Sequence, residues 1–347
     1  MIKVQNKKIS EDGPCFIIAE IGVNHNGNKK LAKKLIDNAS RAGADAVKFQ
    51  LFKAEKLITK NAEKAKYQKE TTNSGESQYE MLKKLELQNE DFIYLSQYAN
   101  NKNIVFLSSA FDYESIDFLD KLNVPAYKIP SGELTNLPLL KYIANKKKPI
   151  ILSTGMSTIV EIDKALNTLR QKGTDDIALM HCVSNYPTDI KDVNLRAIGT
   201  LKEKFNVPIG FSDHTLGITI SFAAVAYGAC IIEKHITLDK KLPGPDHKAS
   251  IEPKELKKMV NGIREIEMAM GNGEKIPNFE EEKIKKLVRK SIVSSKKIPK
   301  GTLINESMIS IKRPGTGISP EYFEKIIGKR TLVDIEEDEL ITWEKIE

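Results

Sequence analysis

Short apolar runs alternate with amphipathic stretches from residue 16 to about residue 271, and this alternation constrains the fold more than any other feature of the chain. The runs are Phe16–Ile21, Ala46–Gln50, Ile104–Ser108, Ala126–Ile129, Ile150–Ser153, Ile177–His181, Pro208–Phe211 and Cys230–Glu233. They are apolar at nearly every position, as strands of a parallel sheet buried on both faces must be. Between them, Leu31-Ala32-Lys33-Lys34-Leu35-Ile36-Asp37-Asn38-Ala39 repeats its apolar positions every three or four residues, the period of a helix. Thr158 and Glu161 form a capping-box pattern ahead of Ile159, Ile162, Leu166 and Leu169. The last helical pattern begins at Pro253, runs through Leu256, Val260, Ile263, Ile266 and Met270, and stops at Gly271.

Eight strand–helix alternations predict an α/β chain built on a (β/α)8 TIM barrel. A doubly wound open sheet is the competing arrangement, but it usually has fewer strands and a glycine fingerprint at its first turn. The connection from Leu51 to about Asn89 is unusually long, and long loops at this end of a barrel often carry function. Residues 1–271 are therefore expected to be the catalytic domain, and the polar, irregular stretch 272–286 a linker. Residues 287–347 are expected to be a small β-rich domain. This last segment echoes itself. Ile298, Leu303-Ile304 and Ile309 share the spacing Ile-x4-Leu-Ile-x4-Ile with Ile335, Leu340-Ile341 and Ile346, which suggests two related halves. Trp343, the only tryptophan, is expected to pack in its core.

The composition, 40% hydrophobic and 29% charged, reads as soluble and globular. No apolar run approaches the roughly 20 residues a bilayer span requires, and the first residues lack the pattern of a signal peptide. Cys15, Cys182 and Cys230 are odd in number and far apart, which argues for small buried thiols in a cytoplasmic protein. The net charge is +7, but lysines and acids interleave along the helices and no basic stripe carries aromatics. Nucleic acid and membrane partners are therefore not expected, whereas a small anionic substrate is.

All five histidines (His25, His181, His214, His235 and His247) close a strand run or lie in the loop just after it, where a barrel keeps its active site. The strand ends also supply Glu20, Lys48, Gln50, Ser108-Ser109, Lys128, Ser131-Gly132-Glu133, Ser153-Thr154-Gly155, Ser184-Asn185-Tyr186, Ser212 and Glu233. Lysines and hydroxyls suit a phosphate or carboxylate, and Gly132 and Gly155 let backbone N–H groups approach it. His214 and His235, at the ends of neighbouring strands, could hold one divalent metal. Plainer roles exist: Ser131 and Ser153 could end strands or cap helices, and His181 could be a core histidine.

These strings resemble the sialic acid synthase family, N-acetylneuraminate synthase and its bacterial nonulosonate relatives, over nearly the whole chain. The resemblance is carried by Glu20-Ile21-Gly22-Val23-Asn24-His25-Asn26-Gly27, Val47-Lys48-Phe49-Gln50, Lys128-Ile129-Pro130-Ser131-Gly132-Glu133, Ser153-Thr154-Gly155-Met156, Phe211-Ser212-Asp213-His214-Thr215, Glu233-Lys234-His235, Gly244-Pro245-Asp246-His247 and Lys312-Arg313-Pro314-Gly315. It implies a barrel followed by an antifreeze-like (SAF) domain in a domain-swapped homodimer, and condensation of phosphoenolpyruvate with an N-acyl hexosamine. By resemblance, His214 and His235 bind Mn2+ or Mg2+. Lys48, Ser109, Lys128, Ser131, Ser153, Ser184 and Ser212 line the phosphoenolpyruvate site. Glu20, Gln50, Asn73, Glu133, Tyr186 and Asp246 face the sugar, and Arg313 reaches it from the partner's small domain. Glu20 or Glu133 is the expected proton carrier.

The leading expectation for the sugar is N-acetylmannosamine, giving a sialic acid. The alternative is a diacetamido hexose, giving legionaminic acid, because the loop Tyr67-Gln68-Lys69-Glu70-Thr71-Thr72 through Gln78 resembles a subgroup containing both kinds of synthase. Two competing classes are a Schiff-base aldolase using Lys48 or Lys128 and a non-enzymatic carbohydrate- or ice-binding protein.

Overall fold

The computed structural model describes residues 1–72 and 75–347 and divides into two compact units, Met1–Gly271 and Asn272–Glu347. The first unit opens with a hairpin of β1 (Ile2–Val4) and β2 (Lys7–Ile9). Eight parallel strands follow: β3 (Phe16–Gly22), β4 (Ala46–Leu51), β5 (Val105–Ala110), β6 (Tyr127–Ile129), β7 (Ile150–Ser153), β8 (Ile177–Cys182), β9 (Ile209–Asp213) and β10 (Ile231–His235). Each pairs with the next and β10 closes on β3, giving the expected barrel.

Alternation along the strands divides the barrel into an inner and an outer set. Ile17, Ala19, Ile21, Val47, Phe49, Leu152 and Leu179 face outward and pack under the helices. The other parity faces inward. Its first residues are apolar (Phe16, Ile18, Ala46, Val105, Leu107, Ala126, Ile151, Ala178, Met180 and Ile231) and form one buried cluster with Ile2, Val4 and Ile9 of the hairpin. Its last residues are polar: Glu20, Lys48, Ser109, Lys128, Ser153, Ser212, Glu233 and His235, all buried. The barrel thus has an apolar floor, stoppered by a hairpin that no strand pattern in the sequence announced, and a charged mouth. Gly210 keeps the lumen closed, since a Cβ there would lie 2.6 Å from Ile231 Cβ.

The capping box at Thr158 and Glu161 starts helix Ile159–Arg170, and helix Pro253–Met270 ends at Gly271. Among the described residues, the long connection after β4 folds into three short helices, Ala54–Leu57, Lys66–Thr71 and Gln78–Leu85. No helix among the described residues is long and apolar enough to cross a membrane. All three cysteines are free and buried.

In the second unit the stretch read as an irregular linker carries a helix, Phe279–Val288, capped by Asn278 Oδ1 on Glu281 N. Polarity masked it, because no residue of this helix is buried. Strands β11 (Ser291–Ser294) and β12 (Ile309–Lys312) pair antiparallel. The repeated isoleucines Ile298, Ile304, Ile309, Ile335, Ile341 and Ile346 all enter one buried cluster, and Ile298 and Ile335 exchange backbone hydrogen bonds. The echo is the core of this unit. Trp343 is not in that core: it is 47% exposed and meets Tyr322 edge-on.

Candidate active site

The mouth of the barrel is organised by two carboxylates on neighbouring strands. Glu20 pairs with Lys48 Nζ at 2.8 Å and accepts from Gln50 Nε2 at 2.9 Å. Glu233 Oε1 accepts from Lys128 Nζ at 3.2 Å and from Ser212 Oγ at 3.1 Å, with Lys48 Nζ 3.9 Å away. Lys48 also donates to Ser109 Oγ at 3.4 Å. Burial alone would raise the Glu233 carboxyl, but Lys128 and Lys48 outweigh it and hold it at about 2. Burial would also depress Lys48, yet Glu20 and Glu233 push its ammonium above the ordinary value. Lys128 is depressed by burial, with Glu233 opposing. Glu233 thus anchors both lysines, a part that reading strand ends one at a time does not reveal. The available signal is parity: Ile231, Glu233 and His235 share one face of β10.

A second group lies on the loops after β6, β7 and β8. Gly155 N donates to Ser131 Oγ at 3.0 Å, and Ser131 Oγ lies 3.2 Å from Cys182 Sγ. A Cβ on Gly155 would collide with Ser184 Oγ and come within 2.8 Å of Ser131 Oγ. These hydroxyls therefore converge on a space only glycine leaves open. Ser153 is buried at the inner end of β7. Polar hydrogens and a backbone turn beside buried lysines form a cradle for an anion.

The histidine pair stands on the other flank. His214 Nδ1 lies 2.7 Å from the Val183 carbonyl, so that nitrogen carries the hydrogen and Nε2 keeps its lone pair, 3.2 Å from Ser212 Oγ. The His214 and His235 rings are 5.5 Å apart. Burial pushes His214 down to about 4 and, with His214 beside it, pushes His235 well below its ordinary value. Both are therefore neutral near pH 7, the form that binds metal. His235 Nδ1 is buried without a hydrogen-bond partner, 3.6 Å from Asp246 Oδ2. Two neutral imidazoles, one with an orphaned ring nitrogen, fit a divalent cation that completes its shell from water and substrate. No group of three or more His, Cys, Asp or Glu side chains is arranged for a metal among the described residues.

Tyr186 covers the pair, its ring 4.1 Å from His214 and 5.5 Å from His235. Burial and Glu20 push the Asp246 carboxyl up to about 7. The loop bearing Asp246 is clasped to the loop after β3. His247 Nδ1 meets Thr237 Oγ1 at 2.7 Å and its Nε2 meets Asn26 Oδ1 at 3.1 Å. Asn24 Nδ2 donates to Ser250 Oγ, which donates to the Asp246 carbonyl.

Glu133 is half-buried on the turn Ser131–Glu133, where its carboxylate accepts from Asn136 Nδ2 at 2.7 Å. His25 accepts from Gly27 N and stacks on the outward-facing Phe49. His181 also faces outward, bonded to the Val193 carbonyl and stacked on Phe211. Arg313 is exposed in the second unit. Asn73 lies outside the described residues.

Three comparisons bear on what this arrangement does. A family model described as the NeuB family matches residues 35–275, and a SAF domain model matches 289–347. The N,N'-diacetyllegionaminic acid synthase of Campylobacter jejuni is 52% identical over 328 residues, covering 94% of this chain and 98% of that one. The synthase of the same description from Legionella pneumophila is 48% identical over 352 residues, covering 99% of both chains. Among solved structures, an N-acetylneuraminic acid (sialic acid) synthetase of Leptospira borgpetersenii superposes with a TM-score of 0.73 at 37% identity, covering 82% of this chain and 94% of that one.

Proposed function

The chain belongs to the NeuB family, and from that premise we propose that it condenses phosphoenolpyruvate with a diacetamido hexose to give N,N'-diacetyllegionaminic acid and phosphate. The legionaminic acid synthases, at 48% and 52% identity, support this sugar over N-acetylmannosamine, the leading expectation from the sequence. The sialic acid reading keeps the support of the 37% identical synthetase.

The observation that carries the reading is the lysine and hydroxyl cradle beside two neutral histidines in one barrel mouth. Lys48, Lys128 and the hydroxyls of Ser109, Ser131, Ser153, Ser184 and Ser212 bind and orient phosphoenolpyruvate. Glu20, Gln50, Tyr186 and Asp246 face the sugar. His214 and His235 would hold a divalent cation, which when bound would supply a Lewis acid to polarise the sugar's aldehyde oxygen. The enol carbon of phosphoenolpyruvate bonds to the aldehyde carbon as the aldehyde C=O π bond breaks, and the aldehyde oxygen takes a proton to become a hydroxyl. Water adds its oxygen to the resulting cationic carbon and gives up a proton, and the tetrahedral intermediate breaks its C–O bond to phosphate, which leaves with the hydroxyl proton while the carbon becomes a ketone. Lys48 and Lys128 each face a carboxylate within 3.2 Å, which suits charged anion binders better than a Schiff-base nucleophile. The buried free thiols fit a cytoplasmic setting.

Phosphate release from phosphoenolpyruvate with each amino sugar tests the reading. Faster release with the diacetamido hexose is expected. Faster release with N-acetylmannosamine would return the enzyme to the sialic acid synthases, and borohydride trapping of substrate on a lysine would replace the class altogether. A chelator should abolish turnover. His214→Ala and His235→Ala should do the same while their circular dichroism and melting stay those of the parent. Normal turnover in either variant would remove the metal pair.

A further inference from the structure

The long connection after β4 delivers to this site one side chain, within the string that carries the subgroup resemblance, to which no role has been assigned. Tyr67, on the short helix Lys66–Thr71, is half-buried with its ring 5.3 Å from that of Tyr186, tilted by 33°. Tyr186 in turn lies 4.1 Å from His214, tilted by 30°. Three rings thus form a continuous row of tilted contacts from the connection to the histidine pair. Such contacts stabilise beyond the burial of the rings and favour one ring orientation.

The helix carrying Tyr67 is itself tethered. Gln68 Oε1 accepts from Ala65 N at 3.0 Å and from Gln78 Nε2 at 3.1 Å, while Gln68 Nε2 approaches Tyr67 Oη at 3.4 Å. Thr71 Oγ1 donates to the Tyr67 carbonyl at 2.8 Å and lies 3.5 Å from the carbonyl of Pro245, next to Asp246. The connection therefore touches both the loop after β8 and the loop after β10.

We infer that Tyr67 is a positioning residue, whose ring holds Tyr186 against His214 and so closes the sugar side of the barrel mouth. Its face, rather than its hydroxyl, does this. The functional half of the inference rests on the proposed reading of the mouth as a sugar site, and the structural half does not.

Two measurements separate these halves. The first is NMR of the histidine Cε1–H groups in the protein without substrate. With five histidines in the chain, the His214 signal is assignable by substitution, and a ring centred 4.1 Å away gives it a ring-current shift. Tyr67→Ala should move that signal toward its position in Tyr186→Ala, and Tyr67→Phe should leave it in place. An unmoved signal in Tyr67→Ala would overturn the inference, as would equal displacement in Tyr67→Phe.

The second is steady-state kinetics. Tyr67→Ala should raise the KM for the amino sugar on the order of tenfold or more, since misplacing a substrate-facing group by about 1 Å can cost up to 100-fold. The KM for phosphoenolpyruvate should stay within about twofold, and Tyr67→Phe should restore the sugar KM. Equal rises in both KM values would mean general loosening of the connection and would refute a positioning role. Wild-type protein that turns over no amino sugar would fail the functional reading alone, and the NMR outcome would still decide the place of Tyr67.

Discussion

Consecutive residues of one motif do opposite jobs here because a strand turns each side chain to the other face. In Ser212-Asp213-His214, Ser212 and His214 enter the mouth. Asp213 points out and is buried with Lys234, which is likewise the outward member of Glu233-Lys234-His235, at 3.0 Å. Asp213 also accepts from Thr215 N, Thr215 Oγ1 and Ser221 Oγ, and Lys234 donates to the Thr215 carbonyl. The pair is satisfied on all sides, as buried charges must be, and it fixes the two strand ends that present His214 and His235. His25 illustrates the same point away from the chemistry. Burial under the barrel wall pushes its imidazole down to about 4. Between pH 6.5 and 4 the unfolded chain therefore binds a proton that the folded chain refuses, and stability falls as the solution is acidified. Asp246, pushed up to about 7, acts in the opposite sense over all of that range. The comparison of interest is thus with His25→Asn, which keeps an acceptor for Gly27 N. Urea melts across this range should show the parent losing on the order of 3 kcal/mol relative to the variant. Parallel pH profiles would show that His25 is not held neutral.

At the scale of elements, the barrel separates stability from chemistry along its axis. The hairpin at the start of the chain stoppers the floor with Ile2, Val4 and Ile9, while the charged mouth lies at the other end of the same strands. Ile9→Ala should therefore cost ~2–5 kcal/mol in denaturant melts, the range for truncating a buried isoleucine, without changing either KM. A changed KM would show that the floor and mouth are coupled. The helices were legible because their period, caps and stops are local: Thr158 with Glu161 and Pro253 with Gly271 act within a few residues. The hairpin was not, because three-residue strands carry too little pattern. The helix Phe279–Val288 was missed because nothing in its own unit buries one face of it.

For the whole molecule, the two compact units pose the question of assembly. The resemblance places Arg313 over a partner's sugar site, and Arg313 is exposed in the second unit, where such a role is open to it. On that proposal, the chain runs as a dimer in light scattering, and Arg313→Ala raises the KM for the amino sugar far more than that for phosphoenolpyruvate. Equal effects on both would take Arg313 out of the sugar site.

The sequence by itself determined the order of the elements, the barrel and the end at which chemistry gathers, because period, capping and turn chemistry act over a few residues. It also carried the echo of isoleucines that became the core of the second unit. Only the tertiary structure decided which strand-end groups meet. Lys128 and Glu233 are 105 residues apart in the chain, and Tyr67 reaches Tyr186 from another loop entirely. Such pairings depend on closure of β10 onto β3 and on where a long connection comes to rest. Neither leaves a periodic trace in the chain, so the same charges that read separately as strand-end residues become one site only when the barrel shuts.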